Sequence, residues 1–198
     1  HSILQQCDRL EALLNDLLTL SRLESLEERR SLEPVDLEAL IRDAIETISG
    51  SADSRQISID LKVDAKPLLL GERSALEKLV SNLLDNAVKY NRRGGEVRLR
   101  LSESQGTAML SVEDTGIGIP ASSLSRVFER FYRVDVGRSR EAGGTGLGLS
   151  IVKNAVLAHH GDVSVESRVG RGGSWYGSAD GCRVSYRGHH PDRRPVGQ

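Results

Sequence analysis

The run GGTGLGLS, residues 143–150, constrains the fold of this chain most strongly, because it leads directly into the helical pattern LSIVKNAVLAH. A glycine-rich turn that opens a helix points its free backbone amides and the positive end of the helix dipole at the same space. That space suits an anion such as a phosphate. Two familiar phosphate loops are excluded, because the chain contains neither Gly-x-x-x-x-Gly-Lys-Ser/Thr nor a Gly-x-Gly-x-x-Gly that follows a strand in a βαβ unit.

Composition indicates a globular protein whose charged sites are local. Of the 198 residues, 38% are apolar and 28% are charged, and the net charge is −1. This balance predicts neither nucleic-acid binding nor attachment to a membrane surface by bulk electrostatics. Cys7 and Cys182 lie far apart and give no disulfide framework, which fits a reducing compartment. Because the chain lacks an initiator methionine, we expect a piece of a longer protein in which any membrane span lies upstream.

Hydrophobic periodicity predicts a long helix over residues 3–28. Its apolar stripe is made of leucines at helical spacing: Leu10, Leu13, Leu14, Leu17, Leu20 and Leu23. A helix that presents so much leucine is expected to pack on another chain or on a missing segment. Pro34 cannot continue it, and Asp36 is the candidate N-cap of a second helix over about 37–50.

The patterns that follow alternate between strand and helix. Residues 57–63 alternate as a strand does, residues 68–70 are a short strand candidate, and residues 74–90 have a helical pattern. Residues 94–116 contain two alternating strands joined by a turn at 105–106. We therefore expect an α/β fold, a two-layer sandwich with helices on one face of a mixed, mostly antiparallel sheet.

Two polar segments could carry chemistry. NLLDNAVKYN, residues 82–91, places two asparagines one turn apart on an amphipathic helix, where they could simply bond to the local backbone. EDTGIGIP, residues 113–120, ends a strand with Asp114 and continues with glycines that let a flat ligand approach. A carboxylate there can accept a hydrogen bond from an amino group such as that of adenine, although a plain strand-ending turn has the same composition.

Four segments in this order, NLLDNAVKYN, DTGIGIP, FERFYRVD and GGTGLGLSIVK, resemble the N, G1, F and G2 boxes of the sensor histidine kinases. The ATP-binding domain of these kinases has the Bergerat (GHKL) fold. The leading helix resembles the second helix of their dimerisation and histidine-phosphotransfer hairpin. The resemblance divides the chain into a partial hairpin at 1–31, a catalytic ATP-binding domain at 34–173 and a divergent tail, expected to be poorly ordered, at 174–198.

The resemblance also implies site residues. Asn86 would hold the Mg²⁺ that bridges the phosphates of ATP, since this ion prefers oxygen ligands. Further nucleotide contacts are implied for Tyr90, Asp114, Gly116, Gly118, Gly144, Thr145, Gly146, Leu147 and Gly148. Catalytic roles are implied for Asn82, Lys89, Arg138 and Arg140, although arginines in such a lid could also be solvated charges. His159 and His160 are expected to be structural rather than metal ligands.

Asn82 bears on the type of reaction that the resemblance implies. ATP-hydrolysing relatives, such as the gyrase and Hsp90 types, carry a glutamate at this position to activate water. An amide cannot take a proton from water at neutral pH, so phosphoryl transfer is favoured over hydrolysis. The implied partners are ATP, Mg²⁺, the receiver domain of a response regulator and a second copy bound through the first helix, with no nucleic acid. The implied location is a cytoplasmic domain of a protein anchored in the membrane by upstream segments.

The chain departs from the family pattern in two places. It has no H box of the form His-Glu-Leu-Arg-x-Pro, so autophosphorylation is not expected of this chain alone. The usual closing strand is lost after Gly173, where Trp175, Tyr176 and residues 184–186 are candidates for an improvised edge strand; a change of reading frame near Gly172 would produce such a tail. These departures leave a non-catalytic nucleotide-binding or dimerisation module as an alternative. A serine kinase of the anti-sigma type is a second alternative, against which the leading helix argues.

Overall fold

The helices form where the periodicity of the sequence predicts them. A computed structural model describes residues 2–24, 32–104, 106–134, 144–167, 169 and 182–189. The helices of these residues are α1 (Ser2–Glu24), α2 (Leu37–Ser54), α3 (Arg73–Lys89) and α4 (Gly148–Ala158). Asp36 caps α2 as predicted, because its Oδ1 accepts a hydrogen bond from the Ala39 amide at 3.1 Å.

Seven strands lie in the described residues: β1 (Glu33–Asp36), β2 (Ser58–Val63), β3 (Leu68–Gly71), β4 (Glu96–Ser104), β5 (Thr107–Asp114), β6 (Asp162–Ser167) and β7 (Cys182–His189). Five of them form one sheet in the order β2-β4-β5-β7-β6, in which only β2 and β4 are parallel. β1, which was not predicted, pairs with β3 in a separate two-stranded sheet. The predicted mixed, mostly antiparallel sheet is confirmed.

Alternation along the strands places the core on one face of the large sheet. In β4, Val97, Leu99 and Leu101 are buried, whereas Arg98 and Arg100 between them are exposed. The buried side chains belong to the same core cluster as the apolar residues of α2, α3 and α4. The helices therefore cover one face of the sheet, as expected for a two-layer sandwich.

The first helix packs on its own chain, which corrects one expectation. Leu20 and Leu23 of α1 are 2% and 6% exposed and join the core, and α1 lies against α4. Leu10 and Leu14 remain about three-fifths exposed, at 60% and 61%. The expectation that the helix must pack on another chain or a missing segment is thus wrong for its C-terminal part, because one stripe of leucines already has an intramolecular partner.

The strand β7 corrects the expectation of an edge strand at residues 184–186. β7 is longer and lies inside the sheet, where it pairs antiparallel with β5 on one side and with β6 on the other. Its alternate residues Val184 and Tyr186 stand opposite Val112 and Leu110 of β5, so the apolar alternation of the strand matches that of its neighbour. Cys182–His189 therefore lies in the sheet, between β5 and β6. Trp175 and Tyr176 lie outside the described residues.

Candidate functional site

The C-terminal half of α3 presents the two asparagines on one helix face. Asn82 and Asn86 are both half-buried and one turn apart. The Asn82 amide nitrogen donates to the Lys78 carbonyl at 2.8 Å. The Asn86 side chain makes no hydrogen bond within the described part of the chain. The alternative that both asparagines simply bond to the local backbone is therefore wrong for Asn86.

The glycine-rich loop before α4 lies directly on this face of α3. A Cβ atom on Gly148 would lie 2.7 Å from Asn82 Oδ1, and one on Gly144 would lie 3.1 Å from Lys89 Nζ and 3.3 Å from the Tyr90 hydroxyl. The first distance is shorter than Cβ contacts in proteins, and the other two are at the tight end of their range. Glycine at both positions thus lets the loop backbone approach the polar end of α3.

Gly146 allows the turn in the middle of the loop. Its φ is +77°, a conformation that favours glycine, and an added Cβ would lie 3.0 Å from Phe131 Cα. The Phe131 amide donates to the Gly146 carbonyl at 2.9 Å, which joins the loop to the end of the segment 121–134. Phe131 itself is 59% exposed with a φ of +62°, so this aromatic is not a core residue.

Asp114, at the end of β5, forms the third side of the site. Its Oδ1 accepts a hydrogen bond from the Gly116 amide at 2.8 Å. A Cβ on the buried Gly116 would overlap the Tyr90 carbonyl, and the Ile117 amide donates to that same carbonyl at 3.1 Å. The structure therefore brings the Asp114 turn against the end of α3. Gly118, which is half-buried, has a φ of +71° that only glycine adopts easily.

The site carries positive charge at the point where the loop meets α3. The Lys89 ammonium lies 5.7 Å from the centre of the Tyr90 ring, a cation–π distance. Burial raises the pKa of the Tyr90 hydroxyl, an effect that Arg133 opposes and Asp85 reinforces. The hydroxyl therefore keeps its proton at neutral pH and can donate a hydrogen bond. The N-terminus of α4, at Gly148 next to Asn82, adds a positive dipole end to the same site.

Thr145 and Leu147 differ from the other predicted nucleotide-binding residues. The Thr145 hydroxyl donates to Asp16 of α1 at 2.9 Å and accepts from the Leu147 amide at 3.2 Å. The Leu147 side chain is fully buried in the core. Any nucleotide contact of Leu147 would therefore come from its backbone, and Thr145 would have to share its hydroxyl with α1. Their nucleotide-binding roles stay predictions.

Arg138 and Arg140, the predicted lid arginines, lie outside the described residues. The structure instead shows three residues that sequence reasoning did not assign to the site: Asp16, Asn91 and Thr115. Asn91 is the last residue of the segment NLLDNAVKYN, and Thr115 follows Asp114. Both positions are therefore adjacent to residues that were predicted to bind the nucleotide. Asp16 carried none, because a contact across 129 positions of the chain has no local pattern.

His159 has a structural role rather than that of a metal ligand. Its ring is 6% exposed, with Nδ1 at 2.7 Å from the Ala155 carbonyl and Nε2 accepting from the Glu72 amide at 3.0 Å. Both ring nitrogens are therefore used by the backbone. Within the described ranges, no group of three or more His, Cys, Asp or Glu residues is arranged to hold a metal ion.

The residues of the site fit a magnesium nucleotide. Glycine backbone at 144 and 148 forms a cradle that a Cβ atom would fill, beside a lysine and a helix N-terminus that suit phosphates. Asn86 offers an amide oxygen that makes no other hydrogen bond in the described residues, and such a hard oxygen suits Mg²⁺. Asp114 offers a carboxylate in the turn that contacts Tyr90, where an amino group of a base could bind.

A protein family and two curated relatives are similar to this chain in sequence. Residues 71–184 match the family described as Histidine kinase-, DNA gyrase B-, and HSP90-like ATPase. The sensor-like histidine kinase SenX3 of Mycolicibacterium smegmatis is 37% identical over 167 residues, which are 84% of this chain and 44% of SenX3. The phosphate regulon sensor protein PhoR of Pseudomonas aeruginosa is 40% identical over 176 residues, covering 86% of this chain and 39% of PhoR.

A solved structure agrees with these relatives. Full-length ShkA in complex with AMPPNP superposes with a TM-score of 0.76 at 32% identity, covering 91% of this chain and 36% of ShkA. The chain spans less than half the length of the two curated relatives. Among the described residues, no helix is both long enough and apolar enough to cross a membrane. The chain belongs to the Histidine kinase-, DNA gyrase B- and HSP90-like ATPase family and carries the ATP-binding catalytic domain of a sensor histidine kinase.

Proposed function

We propose that the whole protein to which this chain belongs transfers the γ-phosphoryl group of MgATP to a histidine and thence to an aspartate of a response regulator. One observation carries the proposal: the glycine loop, the polar end of α3 and the Asp114 turn meet at one place. A base at Asp114 and a triphosphate along the glycine loop would then lie on either side of the end of α3. Positioning and electrostatics of this kind supply most of the catalysis in phosphoryl transfer.

In this mechanism the side-chain oxygen of Asn86 would bind the Mg²⁺. A bound Mg²⁺ would neutralise charge on the phosphates. The chain's own contribution is to hold an amide oxygen at a fixed point of the helix and Lys89 one turn further along. Gly144 and Gly148 keep the loop backbone close enough to α3 for its amides to face the phosphates. Arg138 and Arg140 are proposed to add charge at the γ-phosphate from the lid.

Asn82 supports transfer rather than hydrolysis. Its amide nitrogen is held by the Lys78 carbonyl, and its oxygen lies next to the position of Gly148. An amide at this place can orient a group but cannot remove a proton from water at neutral pH. The phosphoryl group would therefore leave for a better-placed acceptor, which we propose to be a histidine on the other helix of the hairpin.

The exposed leucines of α1 support the proposal of a dimer. Leu10, Leu14 and Leu17 are 60%, 61% and 43% exposed and recur at helical spacing, apart from the stripe that α4 covers. We propose that they pack in a helical bundle with the first helix of the hairpin and with a second copy. We further propose that segments outside this chain anchor the full-length protein in a membrane.

Transfer in trans tests the proposed function. A separate two-helix hairpin that carries an H box would be mixed with this chain and γ-labelled ATP, and acid-labile label on the hairpin would be measured. We expect label that depends on Mg²⁺ and is lost in Asn86→Ala. Exposed Asp43 lies on α2, so Asp43→Ala serves as the control and should keep the labelling. Binding of ATP without any labelling would favour a non-catalytic nucleotide-binding module, and label on serine would favour the anti-sigma type of kinase.

A further inference from the structure

Asn91, the residue that follows Tyr90 at the end of α3, joins three parts of the fold. Its Oδ1 accepts from the Arg92 amide at 2.9 Å and from the Thr115 hydroxyl at 3.2 Å. Its Nδ2 donates to the Glu96 carbonyl at 3.1 Å. Both Asn91 and Thr115 are half-buried, so these hydrogen bonds are partly shielded from water. One side chain therefore connects the end of α3, the start of β4 and the turn after β5.

Thr115 completes the connection from the other side. Its hydroxyl also accepts from the Glu96 amide at 2.8 Å, and its own amide donates to the Glu96 carbonyl at 3.1 Å. The space between Asn91 and Thr115 is filled, because a Cβ atom on Gly95 would overlap the Asn91 side chain and would lie 2.8 Å from the Thr115 hydroxyl oxygen. The backbone at Thr115 is thus held by its side chain as well as by the sheet.

This arrangement decides where the Asp114 carboxylate points. Asp114 Oδ1 is held by the Gly116 amide at 2.8 Å. Gly116 lies between Thr115, which is bonded to Asn91, and Ile117, whose amide donates to the Tyr90 carbonyl at 3.1 Å. Both neighbours of Gly116 are therefore bound to the two residues that follow α3. If the hydrogen bond between Thr115 and Asn91 is removed, the Thr115 backbone stays bonded to Glu96, but the turn loses its connection from Thr115 to the residue that follows Tyr90.

We propose that Asn91 and Thr115 are positioning residues that set the base selectivity of the nucleotide site by fixing the Asp114 carboxylate. The inference rests on the proposed role of Asp114 as acceptor for the amino group of adenine. A carboxylate held in this orientation accepts from a 6-amino group and repels the carbonyl oxygen that hypoxanthine carries at the same position. A loosely held carboxylate can turn away from that oxygen, so it discriminates less between the two bases.

The ratio of the dissociation constants for ITP and ATP measures this role. We expect the wild-type chain to prefer ATP by about tenfold to a hundredfold, as a hydrogen bond to a charged group implies. Thr115→Val removes the hydroxyl at nearly constant volume and should reduce the preference for ATP by about threefold to tenfold. Thr115→Ser keeps the hydroxyl and should keep the wild-type preference. A purely structural role would lower the folded fraction and would leave the ratio of the folded protein unchanged.

Two further variants complete the test. Asn91→Asp keeps the size of the side chain but replaces the donor to the Glu96 carbonyl by an oxygen that this carbonyl repels. The side chain should then turn away from Thr115, which should also lower the preference for ATP. Thr47→Val removes another hydroxyl that bonds to a backbone carbonyl, on the exposed face of α2, and should leave the preference unchanged. If Thr115→Val does not fold, the preference for ATP measured in Asn91→Asp alone tests the positioning role.

The possible failures are distinguishable. A wild-type chain that binds neither nucleotide, or whose preference survives Asp114→Ala, contradicts the proposed function and with it the inference. A wild-type preference that disappears in Asp114→Ala but is kept in both Thr115→Val and Asn91→Asp overturns the positioning role alone.

Discussion

At the residue scale, the buried side chain of His159 connects two helices of the fold. Its ring joins the end of α4 to the start of α3, because one nitrogen lies at the Ala155 carbonyl and the other accepts from the Glu72 amide. The fit is close, since a Cβ atom on Gly71 would lie 2.8 Å from two ring atoms. The adjacent His160 is exposed and has a φ of +55°. Sequence alone could identify a structural histidine pair, but it could not show which of the two is buried.

We predict that His159→Ala destabilises the fold by about 2–4 kcal/mol, because it leaves a cavity and removes the acceptor of the partly buried Glu72 amide. His160→Asn serves as the matched control, since asparagine tolerates positive φ, and it should change the free energy of unfolding by less than about 0.5 kcal/mol. Urea denaturation followed by circular dichroism measures both. Equal free energies for the two variants would contradict the role of His159.

At the scale of elements, sequence patterns predicted the helices and strands that depend mainly on local interactions. α2, α3, β2, β4 and β5 follow from side-chain periodicity and from the Asp36 cap, and the structure contains all of them. The four-residue β1 was missed, because a strand so short is defined by its pairing with β3 rather than by its own sequence. The parallel pairing of β2 with β4 and the place of β7 inside the sheet likewise depend on contacts between distant segments.

β7 carries a charge pattern that matches its neighbours. Arg183 stands opposite Glu113 of β5 and Glu166 of β6, and Glu113 stands opposite Arg98, which stands opposite Asp60. The charges of this row alternate across all five strands of the sheet. Opposite charges at directly paired positions favour this register, because residues that face each other across strands lie close together. The pattern supports Cys182–His189 as a genuine strand of this sheet.

We predict that Arg183→Glu lowers the midpoint of urea unfolding by about 0.3–1 M, because it places like charges opposite each other on both sides of β7. Adding Glu166→Arg should recover part of the loss, and high salt should reduce the effect. Ser185 stands opposite Ser111 and Ser164, so Ser185→Glu is the control and should change the midpoint little. An Arg183→Glu variant as stable as the control would contradict this register for β7.

At the scale of the whole molecule, α1 has two apolar stripes with different partners. Leu20 belongs to the core, and Asp16 one turn earlier accepts a hydrogen bond from Thr145 in the glycine loop. Leu14 is 61% exposed and does not belong to that core. Periodicity predicted the helix but could not separate the two stripes, because leucine is suited equally to a core and to an interface. The helix thus links the nucleotide site to the surface that we propose for the dimer.

We predict that two leucine variants of this helix separate folding from association. Leu20→Ala should lower the free energy of unfolding by about 2–4 kcal/mol, as for other buried leucines. Leu14→Ala should change it by less than about 0.5 kcal/mol at low protein concentration but should weaken self-association. Urea denaturation and sedimentation velocity provide the two measurements. Unchanged sedimentation of Leu14→Ala beside a dimeric wild-type chain would contradict the proposed interface.

The most direct test of the account is a calorimetric titration of the chain with ATP, with and without Mg²⁺. The account predicts saturable binding to the wild-type chain, its loss in Asp114→Ala, and loss of the Mg²⁺ dependence in Asn86→Ala, with the exposed Asp43→Ala as an unaffected control. A chain that unfolds cooperatively in urea but binds no ATP would contradict the claim that the end of α3, the Asp114 turn and the glycine loop form a working nucleotide site.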